Sequence, residues 1–123
     1  MSEKTPPLQG QVYQSVQKFD DYEAREGRYD TTDLEKAQVI TSRVAGKSNT
    51  HKLLLDIDIP AQLIPSSTPG HSHLYIDKEM SEEAWATLLF ALSSAGIIEP
   101  GYMRASISRG FTALRLPWIK KEI

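Results

Sequence analysis

Residues 52–77 read KLLLDIDIPAQLIPSSTPGHSHLYID, and the alternation within this stretch sets the expected fold. In residues 52–59, Leu53, Leu55, Ile57 and Ile59 fall on one parity and Leu54, Asp56 and Asp58 on the other, because successive strand side chains point to opposite faces. The aliphatic set predicts a core-facing side, and Pro60 predicts the end of the strand. Two prolines and a glycine in residues 65–70 predict a loop. Residues 71–77 predict a second strand, with Ser72, Leu74 and Ile76 on one side and His71, His73, Tyr75 and Asp77 on the other. Asp56, Asp58, His71 and His73 are therefore expected on one shared sheet face, opposite the core.

Moving outward, Val39, Ile40, Thr41 and Val44 predict a strand within residues 36–44, and Gly46, Lys47, Ser48 and Asn49 predict a turn after it. Ser81 followed by Glu82 and Glu83 has the chemistry of a helix start. Trp85, Leu88, Leu89 and Leu92 then repeat at i, i+3, i+4 and i+7, and Gly96 suits a left-handed helix cap. Pro100 and Gly101 predict a turn, and residues 102–108 and 111–116 predict a hairpin about Arg109 and Gly110. The expected fold class is α+β, with the order β-β-β-α-β-β forming a mainly antiparallel sheet covered by one helix.

Residues 1–32 are polar and poor in aliphatics, which predicts an N-terminal tail; Val12, Val16 and Phe19 have the spacing of a short helix within it. Residues 33–123 are then expected to form a single domain, in keeping with a 123-residue chain. Apolar residues make up 40% and charged residues 24%, an ordinary globular composition. Cysteine is absent, which excludes a disulfide framework, a thiol nucleophile and cysteine-based zinc sites. The first residues carry no apolar signal core and no apolar run approaches the ~20 residues of a membrane span. No membrane partner is expected, and the expected location is cytoplasmic. Net charge is −2, yet residues 1–35 hold four basic and eight acidic residues, while residues 102–123 hold five basic and one acidic. The basic end is suited to phosphate and also to an ordinary solvated surface.

Two aspartates on one strand face repel each other, and a divalent cation would relieve that repulsion. Hard cations such as Mg²⁺ and Mn²⁺ take carboxylate oxygens and orient phosphates in nucleotidyl transfer. His71 and His73 have a spacing that can hold a transition metal. Trp85 at helical spacing reads as core, and Trp118 reads as closing the core near the C-terminus. Tyr75 and Phe111 are aromatics that could stack on bases. No P-loop, dinucleotide fingerprint or serine nucleophile elbow is present.

Taken together, the Asp56-Ile57-Asp58 strand, the segment from Ser66 and Ser67 through Gly70 and His71 to His73, and Arg115-Leu116-Pro117 with Lys120 resemble the archaeo-eukaryotic primase and primase-polymerase superfamily, especially its phage and plasmid replication branches. The resemblance spans residues 52–120. It implies that Asp56 and Asp58 are catalytic carboxylates holding Mg or Mn, with His71 a weaker metal ligand. It further implies that Ser66, Ser67, His73 and Arg115 contact the phosphates of a nucleotide. The family's third motif supplies another Asp, whereas residues 102–114 contain no acid, which moves the expectation from catalysis towards binding. The stretch from residue 53 to Trp118 also resembles small proteins of actinobacterial phages, which would place the chain in the cytoplasm of an infected bacterium. The expected function is a nucleotide- or nucleic-acid-binding domain resembling a reduced primase-polymerase core. The alternatives are a phage accessory module that binds a protein partner, and a small metal-dependent hydrolase using the histidines and aspartates.

Overall fold

A computed structural model describes residues 4–16 and 27–120. These residues have mixed α and β content, and among them are five antiparallel strands in two sheets and two helices. It divides into two compact units, Met1–Asp56 and Ile57–Ile123.

The first unit is built on β1 (Gln11–Val16), β2 (Arg28–Thr31) and β3 (Val39–Val44), in the spatial order β2-β1-β3. Both pairings are antiparallel. Residues expected to form a polar tail thus supply the central strand. Val12 and Val16, whose spacing suggested a helix, lie on β1; Phe19 falls outside the described residues. Side chains substitute for aliphatic bulk here. Gln11 is buried and its Nε2 donates to the carbonyls of Thr41 and Arg43, at 2.8 and 3.2 Å. The Thr41 hydroxyl donates to the Val12 carbonyl, and the Gln38 side-chain oxygen accepts from the Val16 N–H at 2.7 Å. Such bonds recover the cost of burying polar groups where few apolar groups are available. On the surface, Arg43 forks onto both carboxylate oxygens of Asp30, at 2.8 and 3.0 Å, and Gln14 donates to the same carboxylate at 3.1 Å. Since β2 and β3 flank β1, this cluster ties the two outer strands across the central one. Gly46 and Asn49, both at positive φ, turn the chain after β3, and a single bridge between Arg43 and His51 follows.

The strand expected over residues 52–59 does not form. After the Lys52 N–H bonds to Ser42, residues 53–59 make no backbone pairing among the described residues, and Leu53, Leu54, Leu55 and Ile57 are exposed. Alternation specifies which side chains could share a face, but a strand also needs a neighbouring edge, and among the described residues none pairs with residues 53–59.

In the second unit the ladder begins one proline later. β4 (Ala61–Pro65) pairs antiparallel with β5 (Ser72–Ile76), so Leu63 stands opposite Leu74 and Ile64 opposite His73. The faces are the reverse of those expected: His73 and Tyr75 are half-buried, whereas Leu63, Leu74 and Ile76 are 68%, 47% and 42% exposed.

Helix α1 (Glu82–Ser94) forms as its sequence predicts. The Ser81 hydroxyl accepts from the Ala84 N–H at 3.1 Å, satisfying one of the free donors of the first turn. Gly96 is left-handed, and the Ile97 N–H reaches the Leu92 carbonyl, closing the helix in a Schellman arrangement. Leu89 is buried on the inner face, with Trp85 and Leu92 partly buried beside it. The expected hairpin over residues 102–116 is replaced by helix α2 (Pro100–Arg109), which packs on α1. Pro100 sits at the first helical position, where its missing N–H costs nothing, and Gly110 caps the end at φ 90°. Tyr102 and Ser106, four residues apart, form the inward stripe. Trp118, expected to close the core, is 72% exposed.

Candidate functional site

The loop between β4 and β5, residues 66–71, is shaped by its own hydrogen bonds. The Ser66 N–H donates to the His71 carbonyl at 2.9 Å, and the His71 N–H donates to the Thr68 carbonyl at 3.0 Å. The Ser66 hydroxyl accepts from the Thr68 N–H at 3.1 Å, the local turn that serine favours. Gly70 takes φ +80°, a conformation that carries little penalty only without a Cβ. The Ser67 hydroxyl has no protein partner among the described residues.

Beyond α2 the chain is steered by Arg109, whose Nε donates to the Phe111 carbonyl at 3.1 Å and whose guanidinium lies 5.0 Å from the Phe111 ring centroid. Phe111, a candidate base platform, is thus in contact with a cation of the chain itself. Residues 112–116 are irregular. The Ile119 N–H then donates to the Leu116 carbonyl at 3.0 Å, closing a turn with Pro117 at its second position, where the fixed φ of proline fits.

The loop, β5, the first turn of α2 and this final segment line a partly open cleft of about 700 Å³. Ser66, Ser67, Thr68, His73, Arg115 and Lys120 line it, with Tyr102, Leu114, Leu116 and Ile119 among its further walls. Among the described residues, no Asp or Glu lines the cleft. Among the described residues, the side chains of His73, Arg115 and Lys120 make no hydrogen bond or ion pair. Two cations, an imidazole and three hydroxyl side chains, with no acid among the described lining residues, make an environment for an anion. Burial pushes the Tyr102 phenol above its ordinary value of 10.0, against the opposing charge of Arg109, so its hydroxyl is a neutral donor at physiological pH.

Four residues singled out in the sequence, Ser66, Ser67, His73 and Arg115, therefore meet in one cleft. The other three are placed differently. Asp56 and Asp58 are exposed, on a segment that is not a strand, and they straddle the boundary between the two units. Asp58 and His71 do not line the cleft, and His71 is exposed in the loop just before β5. The shared strand face that would have joined the aspartates to both histidines is absent. Among the described residues, no group of three or more His, Asp or Glu side chains is arranged to hold a metal ion. Tyr102, Thr68 and Lys120 were not singled out as site residues. Tyr102 was assigned to a hairpin, although the helical spacing of Tyr102 and Ser106, with Pro100 before and Gly110 after, carries the signal for its true placement.

Comparison with family models, with curated proteins and with solved structures gave no match. Among the described residues, no helix is long and apolar enough to cross a membrane.

Proposed function

We propose that this chain binds nucleotides or nucleic acid through their phosphate groups, in the cleft between the β4–β5 loop and residues 113–120. The observation that carries this reading is the grouping of Arg115, Lys120, His73 and the Ser66–Ser67–Thr68 hydroxyls around one space where, among the described residues, no acid is part of the lining and the cations are unpaired. An Arg guanidinium and a Lys ammonium left without a carboxylate are available for charge-assisted bonds to phosphate oxygens. The resemblance of residues 52–120 to the primase-polymerase superfamily supports the same ligand class. Mg²⁺ or Mn²⁺ held by Asp56 and Asp58 belongs to that resemblance alone; among the described residues, neither aspartate falls in a group of three or more His, Asp or Glu side chains that could hold a metal ion.

Isothermal titration calorimetry with a nucleoside triphosphate, with and without Mn²⁺, tests the reading. Binding by the natural chain and its loss in the Arg115→Ala, Lys120→Ala double variant are expected. The absence of binding under either condition would overturn it.

The second reading, a protein-interaction module, is favoured by the opposite side of the same hairpin, where Leu63, Leu74 and Ile76 form an exposed apolar set. Loss of a copurifying or self-associated species on Leu63→Ser, Leu74→Ser substitution, with nucleotide binding absent, would favour that reading over the first.

A further inference from the structure

We infer that Tyr102 is the base-recognition residue of this cleft, so that its ligand is a whole nucleotide unit and not a bare phosphate-like anion. The inference rests on the phosphate-binding reading and adds the rest of the ligand.

A cleft of about 700 Å³ is within the range of about 300–1,000 Å³ typical of pockets for drug-sized organic ligands, and is far larger than an inorganic anion needs. Its walls are mixed. Beside the phosphate-seeking groups stand Leu114, Leu116 and Ile119, which offer nothing to a phosphate and which a planar, weakly polar base would cover. Among the described residues, Tyr102 contributes the one benzenoid ring of the lining. It sits in the first turn of α2, a helix fixed by packing on α1, so the ring is half-buried on a rigid element. Aromatic faces accept any base by stacking, and the neutral phenol adds a single hydrogen-bond donor and acceptor. The other aromatic candidates fit less well: Phe111 already contacts Arg109, and neither it nor Tyr75 lines the cleft.

The test compares three probes by calorimetry, adenosine triphosphate, tripolyphosphate and a short single-stranded oligodeoxynucleotide, on the natural chain and on the Tyr102→Leu and Tyr102→Phe variants. Adenosine triphosphate should bind the natural chain roughly ten- to a hundred-fold tighter than tripolyphosphate, the span that stacking of one base supplies. Tyr102→Leu should remove that preference while leaving tripolyphosphate affinity unchanged, and Tyr102→Phe should keep it. Retained tripolyphosphate binding also reports that the variant is folded. Equal affinity of the natural chain for adenosine triphosphate and tripolyphosphate overturns the inference but leaves the phosphate reading standing, and so does a Tyr102→Leu variant that weakens both probes alike. Absence of binding by every probe overturns both. The ranking of oligonucleotide against triphosphate then identifies the source of the nucleotide unit, a strand or a free nucleotide.

Discussion

Arg115 and Lys120 stand on either side of the turn closed by the Leu116–Ile119 hydrogen bond, and both line the same cleft. A five-residue separation would place two side chains at unrelated positions in an extended chain. The turn at Pro117 brings this pair to one cleft. Each removed phosphate contact lowers the salt dependence of binding by about one charge. Arg115→Ala and Lys120→Ala should each weaken nucleotide or oligonucleotide binding by roughly tenfold, with a shallower slope of log affinity against log salt in titrations at several ionic strengths. Arg115→Lys should restore only part of the affinity, because an ammonium cannot make the two parallel bonds of a guanidinium. An unchanged slope in both alanine variants would remove these residues from the site.

The two neighbouring serines of the loop should separate in experiment. Ser66 uses its hydroxyl to hold Thr68, whereas Ser67 has a free hydroxyl on the cleft wall. Ser66→Ala should lower the melting temperature, by the equivalent of about 1 kcal/mol for one lost hydrogen bond. Ser67→Ala should leave thermal unfolding unchanged and weaken phosphate binding. Differential scanning calorimetry alongside ligand titration distinguishes the two, and a reversed pattern would mean that the loop is held differently.

Ser81 caps α1 through the Ala84 N–H. Ser81→Ala should cost about 1 kcal/mol in chemical denaturation, and Ser81→Asp should retain most of the stability because a carboxylate makes the same bond and suits the helix N-terminus.

In the first unit, the Arg43 guanidinium, with help from Gln14, holds the Asp30 carboxyl at about 2, below its ordinary value of 3.8. The folded chain therefore releases this proton more readily than the unfolded one, and the pair's contribution is complete above pH ~4 and is lost as pH falls towards 2. The pair is exposed, so the contribution is small, about 1 kcal/mol or less. Unfolding followed between pH 2 and 5 should show a steeper acid loss in the natural chain than in Asp30→Asn. Identical profiles would mean that the ion pair contributes nothing to folding.

Local chemistry was legible in the sequence where the determining contacts are local. Ser81, the Trp85–Leu92 periodicity and Gly96 together define α1 within a residue or so, because caps and helix stripes act over one to three turns. The Gly46–Asn49 turn and β5 were equally readable. Residues 52–59 failed for the opposite reason: their alternation is strong, but strand formation depends on an edge elsewhere in the chain. Helix α2 was missed because Pro100–Gly101 and Arg109–Gly110 serve as well for turns as for a helix start and stop. The hairpin's faces were assigned from hydrophobicity alone, so His73 was expected on an open surface and Leu74 inside. Ser66, Ser67, His73 and Arg115, which the family resemblance groups as phosphate contacts, line one cleft: the first three lie within one loop and its following strand, whereas Arg115 is distant in sequence.

Under the proposed phosphate-binding function, the hydrogen bonds that close the Ser66–His71 loop also bear on the rate of recognition. A wall already folded before the ligand arrives needs no slow rearrangement at encounter, so association should be governed by diffusion and by attraction towards Arg115 and Lys120. Added salt would then slow capture, while changes to the loop's internal bonding would shorten the lifetime of the bound state.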